Sequence, residues 1–219
     1  MEQLAIWLDT TFSQFDAFFF NFWHLVAESI GSFFTPVMEA VSFTGNGGIC
    51  MIILALLLLC FRKTRKAGLC IGLAIAIGAL FTNVILKPSV ARIRPYEAST
   101  IFREYWHLVG AHTESDLSFP SGHTTATVAA MLALVISNGK RYLYVAIPYA
   151  TLMCISRNYL VAHYCTDIIA GAIIGSLAAV AAFFLSKLIY RSLESHSESK
   201  ICGALLNFDA CNIFKAKQT

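Results

Sequence analysis

Charge is scarce in this chain. Only 13% of its 219 residues are charged, against roughly 25% in a typical soluble domain, so its main solvent is expected to be lipid rather than water. The net charge of +3 is small and scattered, which excludes the basic stripe that nucleic-acid binding needs. The seven cysteines lack CxxC or Cys/His ligand spacing, so neither a zinc site nor a disulfide is predicted. Cys50, Cys60, Cys70 and Cys154 sit in apolar runs, where cysteine behaves as a small hydrophobe; Cys202 and Cys211 fall near the end. Met1 to Asp9 has no basic segment and carries Glu2 and Asp9, so no secretory signal is expected and the first hydrophobic stretch should stay in the mature protein. There is no internal repeat or low-complexity tract.

Apolar residues are abundant: 57% of the chain, with a mean hydropathy of +0.66. A membrane-crossing helix needs about 20 mainly apolar residues. Ala67 to Leu86 and Ile168 to Ser186 meet that requirement. Gly47 to Phe61 is shorter, but its uncharged run extends back to Ala40; Thr124 to Ser137 and Tyr142 to Ile155 are lengthened by their flanks. The N-terminal stretch, about Phe15 to Phe34, contains Asp16, His24 and Glu28; it either spans or lies in the interface as an amphipathic helix. The reading is an all-α polytopic bundle of about six transmembrane helices, one domain over residues 1–191 followed by a cytoplasmic tail over 192–219.

Basic clusters orient the spans. Arg62, Lys63, Arg65 and Lys66, then Lys140 and Arg141, then Lys187 and Arg191 all fall on one side of a six-span bundle, which should be the cytoplasm. Gly45 to Gly48, the long segment Pro88 to Pro120, and the turn Asn158 to Thr166 then face outward together. Both termini face inward.

Three outward segments concentrate polar chemistry. The first is Lys87-Pro-Ser-Val-Ala-Arg-Ile-Arg94-Pro95. Pro88 disfavours helical geometry at Lys87, so the third span is expected to end there. Lys87 is then either a snorkelling cap of a helix C-terminus or a fixed cation beside Arg94. Arg92 and Arg103 read as solvated loop charges. The second is Pro120-Ser121-Gly122-His123, directly before a helix. It is either an ordinary cap, or a helix N-terminus whose free N–H groups bind phosphate, with Gly122 allowing close approach. The third is Ser156-Arg157-x5-His163-x3-Asp167. His163 and Asp167, four apart, share a face if helical. They form a surface pair, half of a metal site that no nearby cluster completes, or an imidazole oriented by a carboxylate. Arg157 offers a planar fork for phosphate oxygens. Jointly, Lys87, Arg94, Arg157, His123, His163 and Asp167 meet at one membrane face, a set suited to a small anion with a nucleophile and an acid beside it.

Read in order, Lys87-x6-Arg94-Pro95, Pro120-Ser121-Gly122-His123 and Ser156-Arg157-x5-His163-x3-Asp167 resemble the three signature motifs of the type 2 phosphatidic acid phosphatase (PAP2) family, over about Gly45 to Ile189. One departure lies beside the motifs: Cys165 stands where the family often has proline. The resemblance implies that His163 is the nucleophile and forms a phosphohistidine, Asp167 orients it, and His123 is the general acid. Lys87, Arg94, Ser121, Gly122 and Arg157 would hold the phosphate oxygens, with no metal or other cofactor. The expected substrate is a lipid phosphate or diphosphate, undecaprenyl diphosphate first. Phosphatidylglycerophosphate, phosphatidate, diacylglycerol diphosphate and lipid A are the alternatives. Tyr96, Glu97, Trp106, His107, His112, Glu114 and Asp116 read individually as interfacial or loop residues. Two rivals are a haloperoxidase using vanadate at the same residues, and a non-catalytic lipid-binding or transport protein.

Overall fold

The computed structural model describes residues 2–210; Cys211 and the residues after it lie outside them. Among the described residues every regular element is helical. Helix α1 (Glu2–Thr11) leads into α2 (Ser13–Gly45), a 33-residue helix with a kink at Ile30 and Pro36 inside it. A turn at Asn46, Gly47 and Gly48 leads into α3 (Ile49–Leu59). Gly47 and Gly48 have φ of +57° and +68°, a region that glycine enters without steric cost. This corrects one expectation. Residues 40–45 finish α2 rather than lengthen the next span, because the Asn-Gly-Gly turn breaks the uncharged run.

Helix α4 (Arg65–Ala79) passes through a π-helical stretch, Leu80–Leu86, into α5 (Lys87–Val90). The helix therefore continues past Pro88 and ends at Ala91, whose φ is +55°, not at Lys87 as Pro88 suggested. The π-turn shifts the hydrogen-bond register, so Pro88 enters in the first turn of a new helical segment, where its missing N–H costs nothing. Short helices α6 (Pro95–Ala98) and α7 (Thr100–Leu108) follow, then a non-helical loop to α8 (Gly122–Asn138). Helix α9 (Leu143–Tyr159), the 31-residue α10 (Cys165–Ser195) and the short α11 (Lys200–Asn207) complete the order. Arg65 donates to the carbonyls of Leu205 and Leu206, docking α11 against the start of α4.

Helices α4, α8 and α10 form the centre. Small side chains let them touch: Ala74, Ala129, Ala133, Ala178, Ala179 and Ala182 are all buried. At Gly171 an added Cβ would meet the Ser121 carbonyl oxygen at 2.7 Å, and at Gly175 the Thr125 carbonyl oxygen at 2.6 Å. This small-x3-small contact brings the two backbones together. The outside is apolar, with Phe18, Leu25, Phe33, Phe43, Leu57, Val84, Leu177 and Phe184 exposed, as a lipid-facing surface requires. Three stretches are long and apolar enough to cross a membrane: Ser13–Leu59, Arg65–Ala98 and Cys165–Ser195. Helices α8 and α9, also expected to span, have 17 residues each, about 26 Å at 1.5 Å per residue. The segments carrying the three motifs converge at one end of the bundle, and the Asn46 turn joins them.

Candidate active site

The first motif enters on the helix that the π-turn re-aims. Lys87 is 6% exposed and Arg94 2%. Arg94 donates through Nη1 to the carbonyl of Ala162 at 2.7 Å, and the same nitrogen lies 3.4 Å from His163 Nε2. Guanidinium nitrogens only donate, so the ring nitrogen facing Arg94 is the one with the lone pair.

His163 itself lies in the turn between α9 and α10, ahead of the helix rather than on a helical face shared with Asp167. That turn is fixed tightly: His163 N donates to the Arg157 carbonyl at 3.2 Å, and Asn158 donates to the His163 carbonyl at 3.0 Å. Val161, two residues earlier, is held at φ +55°, a strained conformation for a β-branched residue. His163 Nδ1 points at Asp167 Oδ2 from 3.6 Å and makes no hydrogen bond among the described residues. Burial first, then the charges of Arg94, Arg157 and Lys87, holds His163 well below the ordinary histidine range. The ring is therefore neutral at neutral pH, with one nitrogen carrying a lone pair.

Asp167 is fully buried and receives three other partners. Arg92 Nη1 donates to Oδ1 at 2.6 Å; Ser118 Oγ at 2.5 Å and Tyr164 N at 3.1 Å donate to Oδ2. Arg92 is no solvated loop charge, as the sequence suggested. It is 1% exposed, lies with its Cζ 3.8 Å from the Tyr164 ring centroid, and binds Asp9 and Asp16 as well. Arg103 is exposed and donates to the Tyr96 and Glu97 carbonyls.

The second motif starts α8. Ser121 is its N-cap, accepting from Thr124 N, and its own N–H donates to the Asp167 carbonyl at 3.1 Å. His123 Nε2 lies 2.9 Å from Asn46 Oδ1, and Gly45 sits so close that a Cβ there would meet His123 Cδ2 at 2.7 Å. Asn46 thus orients His123. The sequence puts Gly45 to Gly48 on the same outward side as the motifs, but nothing in it says that Asn46 reaches the second one.

Lys87, Arg94, Gly122, His123 and His163 line one cavity of about 250 Å³. Ser121 and Asp167 are buried behind it. Arg157 lines an adjoining cavity of about 540 Å³, shared with Glu39, Phe43 and His112. Glu114 lines both cavities. Two loop acids read earlier as surface charges pair with the cations: Asp116 with Lys87 and Arg94, and Glu114 with Arg157. Burial pushes Glu114 up, but Arg157 outweighs it and leaves the carboxyl below its usual value. Asp116 likewise is raised by burial and lowered further by Lys87 and Arg94, ending below its usual value. Both are carboxylates at neutral pH.

The sequence profile of the PAP2 superfamily matches residues 67–191. The chain belongs to the PAP2 superfamily. Relatives within it include a lipid A 4'-phosphatase of Bacteroides thetaiotaomicron, 30% identical over 59% of this chain and 60% of the relative. An undecaprenyl-diphosphatase of Sulfolobus acidocaldarius is 31% identical over 55% of each chain. A decaprenylphosphoryl-5-phosphoribose phosphatase of Mycobacterium tuberculosis is 34% identical over 63% of this chain and 72% of that one. The chain thus spans under two thirds of the length of the first two. Among PAP2 folds, the crystal structure of the Bacillus subtilis phosphatidylglycerolphosphate phosphatase superposes with a TM-score of 0.54 at 22% identity, covering 85% of this chain and 97% of that one. Aquifex aeolicus LpxE gives 0.56 at 20% identity, covering 74% and 92%.

Proposed function

We propose that this PAP2 protein hydrolyses the phosphoester or diphosphate of a membrane lipid through a phosphohistidine on His163. The observation that carries the reading is the buried His163 ring, its Nε2 3.4 Å from Arg94 Nη1 in a cavity that His123 and Lys87 also line. In the first step Nε2 attacks phosphorus in line. The bond to the lipid-side oxygen breaks, and His123 gives that oxygen its proton; burial and the charge of Arg157 hold this ring down to about 3, so the proton is one it takes up as the phosphate's negative charge enters beside it. Asp167 balances the positive charge that develops on the His163 ring. In the second step water attacks the phosphohistidine, His123 takes the water's proton, and phosphate leaves as the P–N bond breaks. Lys87, Arg94, Arg157, Ser121 and Gly122 hold the non-bridging oxygens. Fixed cations of this kind supply the positioning and charge stabilisation on which phosphoryl transfer depends, and general-acid assistance is worth about 10²–10⁴-fold.

Residues 1–191 are proposed as the catalytic unit and 192–219 as a cytoplasmic tail. The site would lie on the extracytoplasmic face and both termini in the cytoplasm, as the basic clusters argue. Undecaprenyl diphosphate is the proposed substrate, supported by the similarity to an archaeal undecaprenyl-diphosphatase. The test is phosphate release by purified protein in detergent from undecaprenyl diphosphate, phosphatidylglycerophosphate, phosphatidate and lipid A. Turnover should be fastest on the first, survive EDTA, yield to vanadate and vanish in His163→Ala. Retained turnover in that variant overturns the nucleophile assignment, and strict metal dependence overturns the scheme of fixed cations.

A further inference from the structure

The N-terminal residue of α10 is poorly equipped for its position. Tyr164 is the N-cap, a place where Ser, Thr, Asp or Asn normally satisfies the free N–H of the second or third helical residue. Cys165 follows, where a proline would have fixed the first turn in advance. Asp167 Oδ2 accepts from the Tyr164 N–H, but the acceptor for the N–H of the second helical residue, Thr166, comes from 150 residues away. Asp16, on α2, is 2% exposed; its Oδ1 accepts from Thr166 N at 2.9 Å and its Oδ2 from Thr166 Oγ1 at 2.8 Å. The same Oδ2 accepts from Arg92 Nη2 at 3.1 Å. Arg92 in turn reaches Thr166 Oγ1 at 2.7 Å and Asp167 Oδ1 at 2.6 Å through its other terminal nitrogen.

Asp16 lies outside the stretch matched by the superfamily profile and outside all three motifs. We infer that Asp16 is a positioning residue for the reaction: it caps the turn that carries Asp167 and anchors the Arg92 guanidinium, and so sets Asp167 against His163 Nδ1. The chain of contacts is closed and buried at every member. Asp167 holds no hydrogen bond to His163, only a 3.6 Å approach, so its position depends on what grips it from behind. Arg92, Ser118 and Tyr164 N supply that grip, and Asp16 fixes both Arg92 and the helix start. Asp9 adds a contact to Arg92 Nε at 2.8 Å from its half-exposed place on α1. The N-terminal helices are thereby part of the catalytic apparatus, not only a lipid-facing wall.

The inference rests on His163 being the nucleophile, as proposed above. In a catalytic triad, loss of the carboxylate partner of the histidine costs about 10⁴-fold; a residue acting through that partner should cost less, roughly ten- to a hundredfold in kcat. The experiment measures kcat, KM and competitive inhibition by inorganic phosphate for Asp16→Asn, Asp16→Ala, Asp167→Asn and the double variant Asp16→Asn/Asp167→Asn, with full-length protein in detergent. Expected are a fall in kcat, larger for Asp16→Ala than for Asp16→Asn, and KM and phosphate inhibition within twofold of the parent, because the cradle cations are untouched. The double variant should be no slower than Asp167→Asn alone, since both changes act through one carboxylate. Asp16→Asn preserves volume and an acceptor for Thr166, so it carries the test if Asp16→Ala does not fold. Parental kcat in Asp16→Asn and Asp16→Ala overturns the inference. So does a loss of kcat matched by loss of phosphate binding, or a double variant whose defects multiply. His163→Ala is run alongside. If it keeps turnover, the function itself is misread; if it is dead while the Asp16 variants are normal, only the role of Asp16 falls.

Discussion

Asparagine in place of Asp116 should make the site bind phosphate more tightly. The Asp116 carboxylate takes contacts from both Lys87 and Arg94, two of the cations proposed to hold the substrate's oxygens. A phosphate must displace it. Hydrogen bonds to charged groups contribute about 1.5–3 kcal/mol each when sheltered. The Asp116 side chain, however, is 49% exposed, and solvent-screened ion pairs contribute about 0–1 kcal/mol. Lys87 and Arg94 are themselves buried, at 7% and 2% side-chain exposure, which places the competing interaction near 1 kcal/mol, or about fivefold in affinity. Asparagine keeps the shape and leaves intact the contact from Arg94 Nε to the Asp116 carbonyl at 2.8 Å. The assay is competitive inhibition by inorganic phosphate, read as Ki at low and high ionic strength. Ki should fall about fivefold at low salt, with the gain shrinking as salt screens the exposed charge. An unchanged or higher Ki would refute the idea that this carboxylate competes with phosphate.

Three other outcomes are expected. Gly171→Ala puts a Cβ 2.7 Å from the Ser121 carbonyl and should destabilise by about 1–3 kcal/mol, whereas Gly72→Ala, with no atom within 4 Å, should not; apparent Tm in detergent distinguishes them. Asn46→Ala removes the partner of His123 and should lower kcat by about tenfold, a fraction of the full general-acid contribution, without changing phosphate inhibition. Stability should also fall with acid in a window set by His163 and His123. Burial and the nearby cations hold both below the ordinary histidine range, His123 down to about 3, so as pH drops below about 6.5 the unfolded chain takes up protons that the folded one refuses, and stability declines. His163→Gln should make the fall in apparent Tm between about pH 7.5 and 5.5 shallower, and His163→Gln/His123→Gln shallower still; an unchanged slope in the double variant contradicts the buried neutral rings.

The helical, lipid-facing character of the chain was legible in its hydropathy, and the convergence of three polar segments at one end followed from counting crossings. What escaped were contacts between distant segments. Arg92 looked like a loop charge because its three carboxylate partners lie on α1, α2 and α10, none near it in sequence. Asp116 and Glu114 sat in a long irregular stretch where no periodicity says which way a side chain points. Pro88 misled about the helix end because a π-turn has no sequence signature to set against proline's strong one. In the uncharged run through residues 40–61 hydropathy does not say to which helix residues 40–45 belong; they finish the one before the Asn46 turn.

The backbone contact between Gly171 and Ser121 has a consequence for how such a site can change. The helix bearing Asp167 rests directly on the start of the helix bearing His123, with no layer of side chains between them. No repacking at that seam can bring the two ends closer or move them apart without unseating both. Room for a bulkier headgroup is more easily made where the irregular loop of residues 109–118 brings Glu114, Ser115 and Asp116 to the cavity. Diversity in what is accepted should therefore be written in that loop, while the seam stays fixed.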